Sequence, residues 1–137
     1  PLETDLILTR PPFPGNGKQM LSQKLLLKWL NLPIKPFEEG QLGIGTDFQK
    51  KNWTPRFRKL MLNLRRASVS GGRCIMLFED WLDRGKKVDA LSFVRKFSGS
   101  EGWKMTASAS RLLQHYSRGE EDFGRTGKQE HLVLLRC

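Results

Sequence analysis

The sequence predicts an α+β fold: a single compact, helix-rich domain with a few short strands, preceded by an extended proline-rich arm. Three observations carry this reading. Apolar residues recur at helical spacing in three separate runs, over 17–30, 55–67 and 88–97, each bounded by a cap or a breaker. The continuous apolar stretches that suit strands, 74–78 and 132–135, are short and bounded by glycine or charge. A length of 137 residues with 38% hydrophobic side chains matches one ordinary domain able to bury a core.

The arm covers residues 1–15 and the domain residues 16–137. In Arg10-Pro11-Pro12-Phe13-Pro14-Gly15 the proline rings fix φ, remove backbone donors and push preceding residues towards extended conformations. Asn16 is placed to cap a helix from Gly17 to Leu30 that Pro33 stops. Its Met20, Leu21, Leu25, Leu26, Leu27, Trp29 and Leu30 surround most of the circumference, leaving a strip of Lys24, Lys28 and Asn31. So much apolar surface predicts a central core helix, the alternative being a helix that docks on a partner. Residues 33–52 read as irregular, and Gly43-Ile44-Gly45 there lacks the spacing of a phosphate-binding glycine loop.

Thr54-Pro55 marks a helix start, with a hydroxyl for an early amide and a proline at the first helical position. That helix runs to Ala67 and turns Phe57, Leu60, Met61 and Leu64 to one side. After Gly71-Gly72, the stretch 73–84 fits either a buried strand or a short helix. Val88, Leu91, Val94 and Phe97 define a third helix closed by Gly99. Trp103 to Met105 reads as a short strand, Ser108 as the cap of a helix over 109–117, residues 118–128 as an exposed loop, and 132–135 as a terminal strand.

Charge is the functional signal. The chain carries 24 Lys and Arg against 14 Asp and Glu, a net +10, which draws polyanions. Between Phe48 and Phe78 there is no acidic residue, but there are Lys50, Lys51, Arg56, Arg58, Lys59, Arg65, Arg66 and Arg73. Arg56, Arg58, Lys59, Arg65 and Arg66 occupy the side of the 55–67 helix opposite its apolar face, giving donors for phosphate oxygens on a rigid element. Trp53 and Phe48, beside Lys50 and Lys51, are placed to stack on unpaired bases, although aromatics at helix starts more often belong to the core. Arg111, His115 and Arg118 form a second basic stripe if 109–117 is helical.

The run Leu64-Arg65-Arg66-Ala67-Ser68-Val69 resembles the Arg-Arg-x-Ser-apolar substrate pattern of cyclic-AMP-dependent kinase, which would make Ser68 a modification site. Lys50-Lys51 followed by Arg65-Arg66 resembles a bipartite nuclear import signal.

Catalytic signals are thin. Glu79, Asp80 and Asp83 with Lys86 and Lys87 could form a metal-dependent nuclease cluster, Glu79 and Asp83 sharing a face if their segment is helical. The same spacing is ordinary on an exposed helix. Cys74 sits in an apolar run as a core residue does, and two Cys and two His so far apart give no zinc pattern. The expectation is a non-enzymatic domain without cofactor or metal that binds DNA or RNA through phosphates with Lys50, Lys51, Trp53, Arg56, Arg58, Lys59, Arg65, Arg66 and Arg73. It reads as a segment of a larger nucleic-acid-processing protein, intracellular and more in the nucleus than the cytoplasm, with no membrane partner. The competing expectation is a protein-interaction module using the 17–30 helix and the arm, with no direct nucleic-acid contact.

Overall fold

A computed structural model of the chain describes residues 3–12, 24–35, 50–113 and 127–137, with side chains from residue 53 onward in the third stretch. Its elements are β1 (Thr4–Thr9), α1 (Lys50–Arg66), β2 (Ser68–Glu79), β3 (Trp81–Asp83), β4 (Lys86–Val88), α2 (Ala90–Gly99), β5 (Lys104–Leu112) and β6 (Gln129–Arg136). Strand residues outnumber helical ones, which overturns the expected helix-rich domain. The physical reason lies in two segments. The ambiguous run after Gly72 is a strand, because Cys74, Met76 and Phe78 are buried at a period of two. Residues 109–112, expected in a helix capped by Ser108, instead continue β5 as an edge strand paired with β6.

Four strands form one sheet in the order β1-β2-β6-β5, and β3 and β4 form a separate hairpin. β1 runs parallel to β2, so α1 belongs to a crossover between parallel neighbours, whereas β2-β6 and β6-β5 are antiparallel. The strand made from the expected arm owes its place to Ile7, which pairs in register with Cys74 and packs on the core.

One face of the sheet and the two labelled helices enclose the core. Trp53, Phe57 and Met61 of α1 follow a four-residue spacing and are fully buried, with Leu60 and Leu64 packed beside them. α1 begins before the expected Thr54-Pro55 start and takes Pro55 into its second turn. α2 is capped by Asp89, whose side chain accepts from the Ser92 amide at 2.8 Å, and it turns Ala90, Phe93 and Val94 inward. The rings interlock: Trp53 stacks on Phe57 at 4.9 Å and meets Phe93 at 5.1 Å, and Phe57 meets Phe78 edge-on at 5.8 Å.

The expected central helix does not stand at the centre. Residues 24–29 are helical, but Trp29 is 84% exposed and Leu25, Leu26, Leu30 and Leu32 are about half exposed or more. Core burial is therefore corrected for this segment, because the α1 and α2 aromatics already fill the space over the sheet. Residues 17–23, the Gly43-Ile44-Gly45 stretch and Phe48 lie outside the described residues. Trp29→Ala is expected to leave the thermal midpoint within about 2 °C of the parent, the behaviour of an exposed substitution, as scanning calorimetry would show.

Candidate nucleic-acid interface

β2 opens with an irregularity. Between the pairs Thr4↔Ser68 and Leu6↔Arg73 the β2 strand has extra residues, and the chain turns through Gly71 at φ +76°. A Cβ built on Gly72 would lie 2.9 Å from the Val69 carbonyl oxygen, so only glycine fits that bend. The Gly71 amide donates to the Cys137 carbonyl at 3.0 Å and the Cys137 amide to that of Gly72 at 3.1 Å, binding the start of β2 to the end of the chain.

The register beyond the bend sets up the electrostatics. Arg73 stands opposite Arg136, and Arg136 opposite Lys104, so three cations on adjacent strands form one cross-strand row at the edge where β1, β2 and β5 begin. All three are exposed, and among the described residues none is held by an acidic side chain. Like charges directly opposite each other destabilise a sheet. The row borders an open depression of about 480 Å³ lined by Asp5, Ser70, Gly71, Arg73, Thr106 and Arg136. Among the described residues, Asp5 is the acidic side chain that lines it.

Around the same edge come the last residues of α1. The Arg65 side chain lies 3.8 Å from the position of a Cβ on Gly102, two residues before Lys104, and Arg66 is exposed beside it in sequence. Arg65 and Arg66 thus lie at this end of the sheet on the α1 side, while Arg73 points to the other face with Lys104 and Arg136, which sequence reasoning did not find. Their only sequence signal is position at the end of a strand; pairing partners 32 and 63 residues away create the cluster.

The other expected residues separate. Trp53 is fully buried and its indole N–H donates to the Pro12 carbonyl at 3.3 Å, so it offers no stacking surface. Arg58 is taken by Glu101, its Nε 2.6 Å from Oε1, a bond that together with Ser100 holds the Glu101 carboxyl below its ordinary range. Lys59 is exposed midway along α1, as is Arg56, which has a partner of its own. Lys50 and Lys51 lie in the first turn of α1, and their side chains are outside the described residues. Ser68 is buried, its hydroxyl donating to the Leu64 carbonyl at 2.8 Å, so a kinase would have to open the α1–β2 junction to reach it. Arg111 lies in β5 rather than on a helix, and His115 and Arg118 are outside the described residues.

At the opposite edge of the sheet the acidic residues divide by strand alternation. Glu79 faces one side, where Arg10 and Lys128 hold it, while Asp80 faces the other. The imagined Glu79–Asp80–Asp83 cluster does not form: alternation sends Glu79 and Asp80 to opposite sides, and extended chain, at about 3.3 Å per residue, carries Asp83 away from Glu79 where a helix would stack them. Asp80 is 1% exposed and binds groups of three elements, α2, β4 and β6. One oxygen accepts from the Ala90 amide and from His131 Nε2, both at 3.0 Å; the other accepts from the Gln129 amide at 3.2 Å and lies 3.0 Å from Lys87 Nζ. His131 Nδ1 in turn meets the Ser110 hydroxyl at 2.8 Å. Burial works against the Asp80 charge, but His131, the Ala90 amide and Lys87 outweigh it and hold the carboxyl at about 2.

Asp80, Asp89 and His131 bring ligand-type atoms within 4.8 Å of one another. Both Asp80 oxygens are already fully engaged and Lys87 supplies the positive charge, so the group is accounted for as a structural junction. Burial, with the nearby Cys137 sulfur, pushes the Cys74 thiol up to about 12, removing it as a nucleophile. No described helix is long and apolar enough to cross a membrane.

No family model and no curated protein matches the chain. A solved structure from Thermus thermophilus, assigned as a DNA modification methylase, has a similar fold over 98% of this chain, with a TM-score of 0.54 and 14% identity. The chain spans 45% of the length of that structure.

Proposed function

We propose that the protein is a nucleic-acid-binding domain that grips the phosphate backbone at the sheet edge formed by Arg73, Arg136 and Lys104, with Arg65 and Arg66 at the same end on the α1 side. The observation that carries this is the three-cation row: side chains that repel one another across adjacent strands are relieved by an anion with regularly spaced charges. Ser70 beside the row adds a neutral donor for phosphate oxygens. The fold shared with a DNA-modifying protein supports DNA as the first polyanion to try, and the domain would act as the gripping part of a larger nucleic-acid-processing assembly without chemistry of its own.

Duplex binding should weaken linearly in log Kd against log salt. Arg73→Ala, Arg136→Ala and Lys104→Ala should each flatten the slope by about 0.9, or about 0.7 on a single strand. Lys86→Ala should leave it unchanged, since Lys86 lies in the hairpin opposite Asp83. Fluorescence anisotropy over a salt series measures this. Salt-independent binding, or equal loss with Lys86→Ala, would refute the assignment.

A second reading is supported by the exposed apolar helix at 24–29: a protein-interaction module in which Trp29 and its neighbouring leucines meet a partner. Trp29→Ala would then abolish capture of that partner while the salt slope on DNA stays unchanged.

A further inference from the structure

The sheet has a second face on which neither labelled helix packs. Register builds it from two apolar cross-strand rows, Leu8-Ile75-Leu134-Ala107 and Leu77-Leu132-Ala109, with Leu6 at the margin. Leu8 is 69% and Leu132 49% exposed. A shallow depression of about 310 Å³ opens over Leu77, Ala109 and Leu132. Both α1 and α2 are committed to the opposite face through Phe57, Met61, Phe93 and Val94. Two of the three strand pairings are antiparallel, so a solvated face would be ordinary if it were polar; a contiguous apolar patch on it marks a place where another surface sits.

Charge around the patch decides what that surface is. At one end stand Arg73, Arg136 and Lys104, with Asp5 the acidic side chain among the described residues that lines the depression beside them. At the other end the two carboxylates are already neutralised: Glu79 by Arg10 and Lys128, and Glu130 by Arg111 at 2.6 Å with Arg10 at 3.6 Å. Among the described residues, the unspent charge bordering the face is therefore positive. A second copy of this chain would bring the same cations, and its own exposed apolar helix is flanked by Lys24, Lys28 and Lys35, so it fits poorly.

We infer that this sheet face, left open by the described residues, is a docking surface for an amphipathic helix of a partner protein whose apolar stripe is flanked by Asp and Glu. The stripe covers the two leucine-rich rows, and its acidic flank meets Arg73 and Arg136. The inference is independent of nucleic-acid binding, although both ligands would compete for those arginines.

The test uses two fluorescent helical peptides with the same leucine stripe, one flanked by Glu and one by Lys. Leu8→Gln with Leu132→Gln, both at exposed positions, removes the apolar contact without opening the core, and a thermal melt confirms the variant is folded. The expected result is binding of the Glu peptide, at least about tenfold weaker binding of the Lys peptide, and about a tenfold loss in the variant, whose DNA affinity stays at the parent value. Absence of Glu-peptide binding, equal binding of the two peptides, or unchanged binding by the variant would overturn the proposal. So would self-association in sedimentation that the same variant abolishes, since a second copy would then be the occupant. Loss of DNA binding in the variant with peptide binding intact would equally contradict it.

Discussion

Phe57→Ala should destabilise the domain by about 3–5 kcal/mol, enough to lower its thermal midpoint by about 10 °C or more. Phe57 is fully buried at the meeting point of α1, α2 and β2, touching Trp53, Phe78 and Phe93. Its removal opens a cavity between a helix and a sheet whose backbones are fixed by their own hydrogen bonds, so collapse relieves little of the loss. Arg66→Ala, on the exposed side of the same helix, should change stability by less than about 0.5 kcal/mol. Urea melts of the two variants separate the faces. Comparable losses in both would mean that the helix is rotated from the orientation described.

Asp80→Ala should cost about 3–5 kcal/mol, because it strips a partner from a buried imidazole and two amides at once and removes the ion pair of the part-buried Lys87 ammonium. Asp80→Asn should cost about 2 kcal/mol and reveal the charge through pH. The folded carboxyl, at about 2, lies below its ordinary 3.8. The unfolded chain therefore binds the proton more readily, and the stabilisation is complete above pH 3.8 and fades as pH falls through about 2. A difference of that size corresponds to about 2 kcal/mol, with no discount for solvent since the side chain is buried. Denaturant melts from neutral pH down to about pH 2 should show a steep acid limb in the parent and a flatter one in Asp80→Asn. Identical limbs would assign the acid sensitivity to other carboxylates.

Local signals in the sequence were good guides where one face of an element decides its structure. The stripe Phe57, Leu60, Met61 and Leu64 is the core side of α1, and 88–97 lies mostly within α2, as apolar spacing implies. They misled where a tertiary partner decides. Residues 109–112 have weak strand character, and β6 imposes extension on them through the pairs Ala109↔Leu132 to Leu112↔Gln129. The apolar 24–30 segment has the composition of a core helix, but the space over the sheet is filled by aromatics from α1 and α2, which come later in the chain. The basic edge was legible only in part: Arg65, Arg66 and Arg73 stand in one acid-free stretch, whereas Lys104 and Arg136 join them through register, which a linear charge count does not contain.

The position of β6 bears on the order in which the protein is made. β6 is the last strand in the sequence but lies inside the sheet, between β2 and β5. During synthesis β2 and β5 emerge early and wait with unpaired inner edges, each a template for adventitious pairing with another chain. At ordinary elongation speeds of about 5–20 residues per second, the interval from the end of β5 to the end of β6 lasts one to several seconds. The nascent chain cannot pass through a stable half-sheet, because the strand that joins the two sides is translated after both. Closure of the sheet, the Asp80–His131 contact and the Arg73–Arg136 row therefore arrive together, and the basic edge is assembled only when residue 136 has been added.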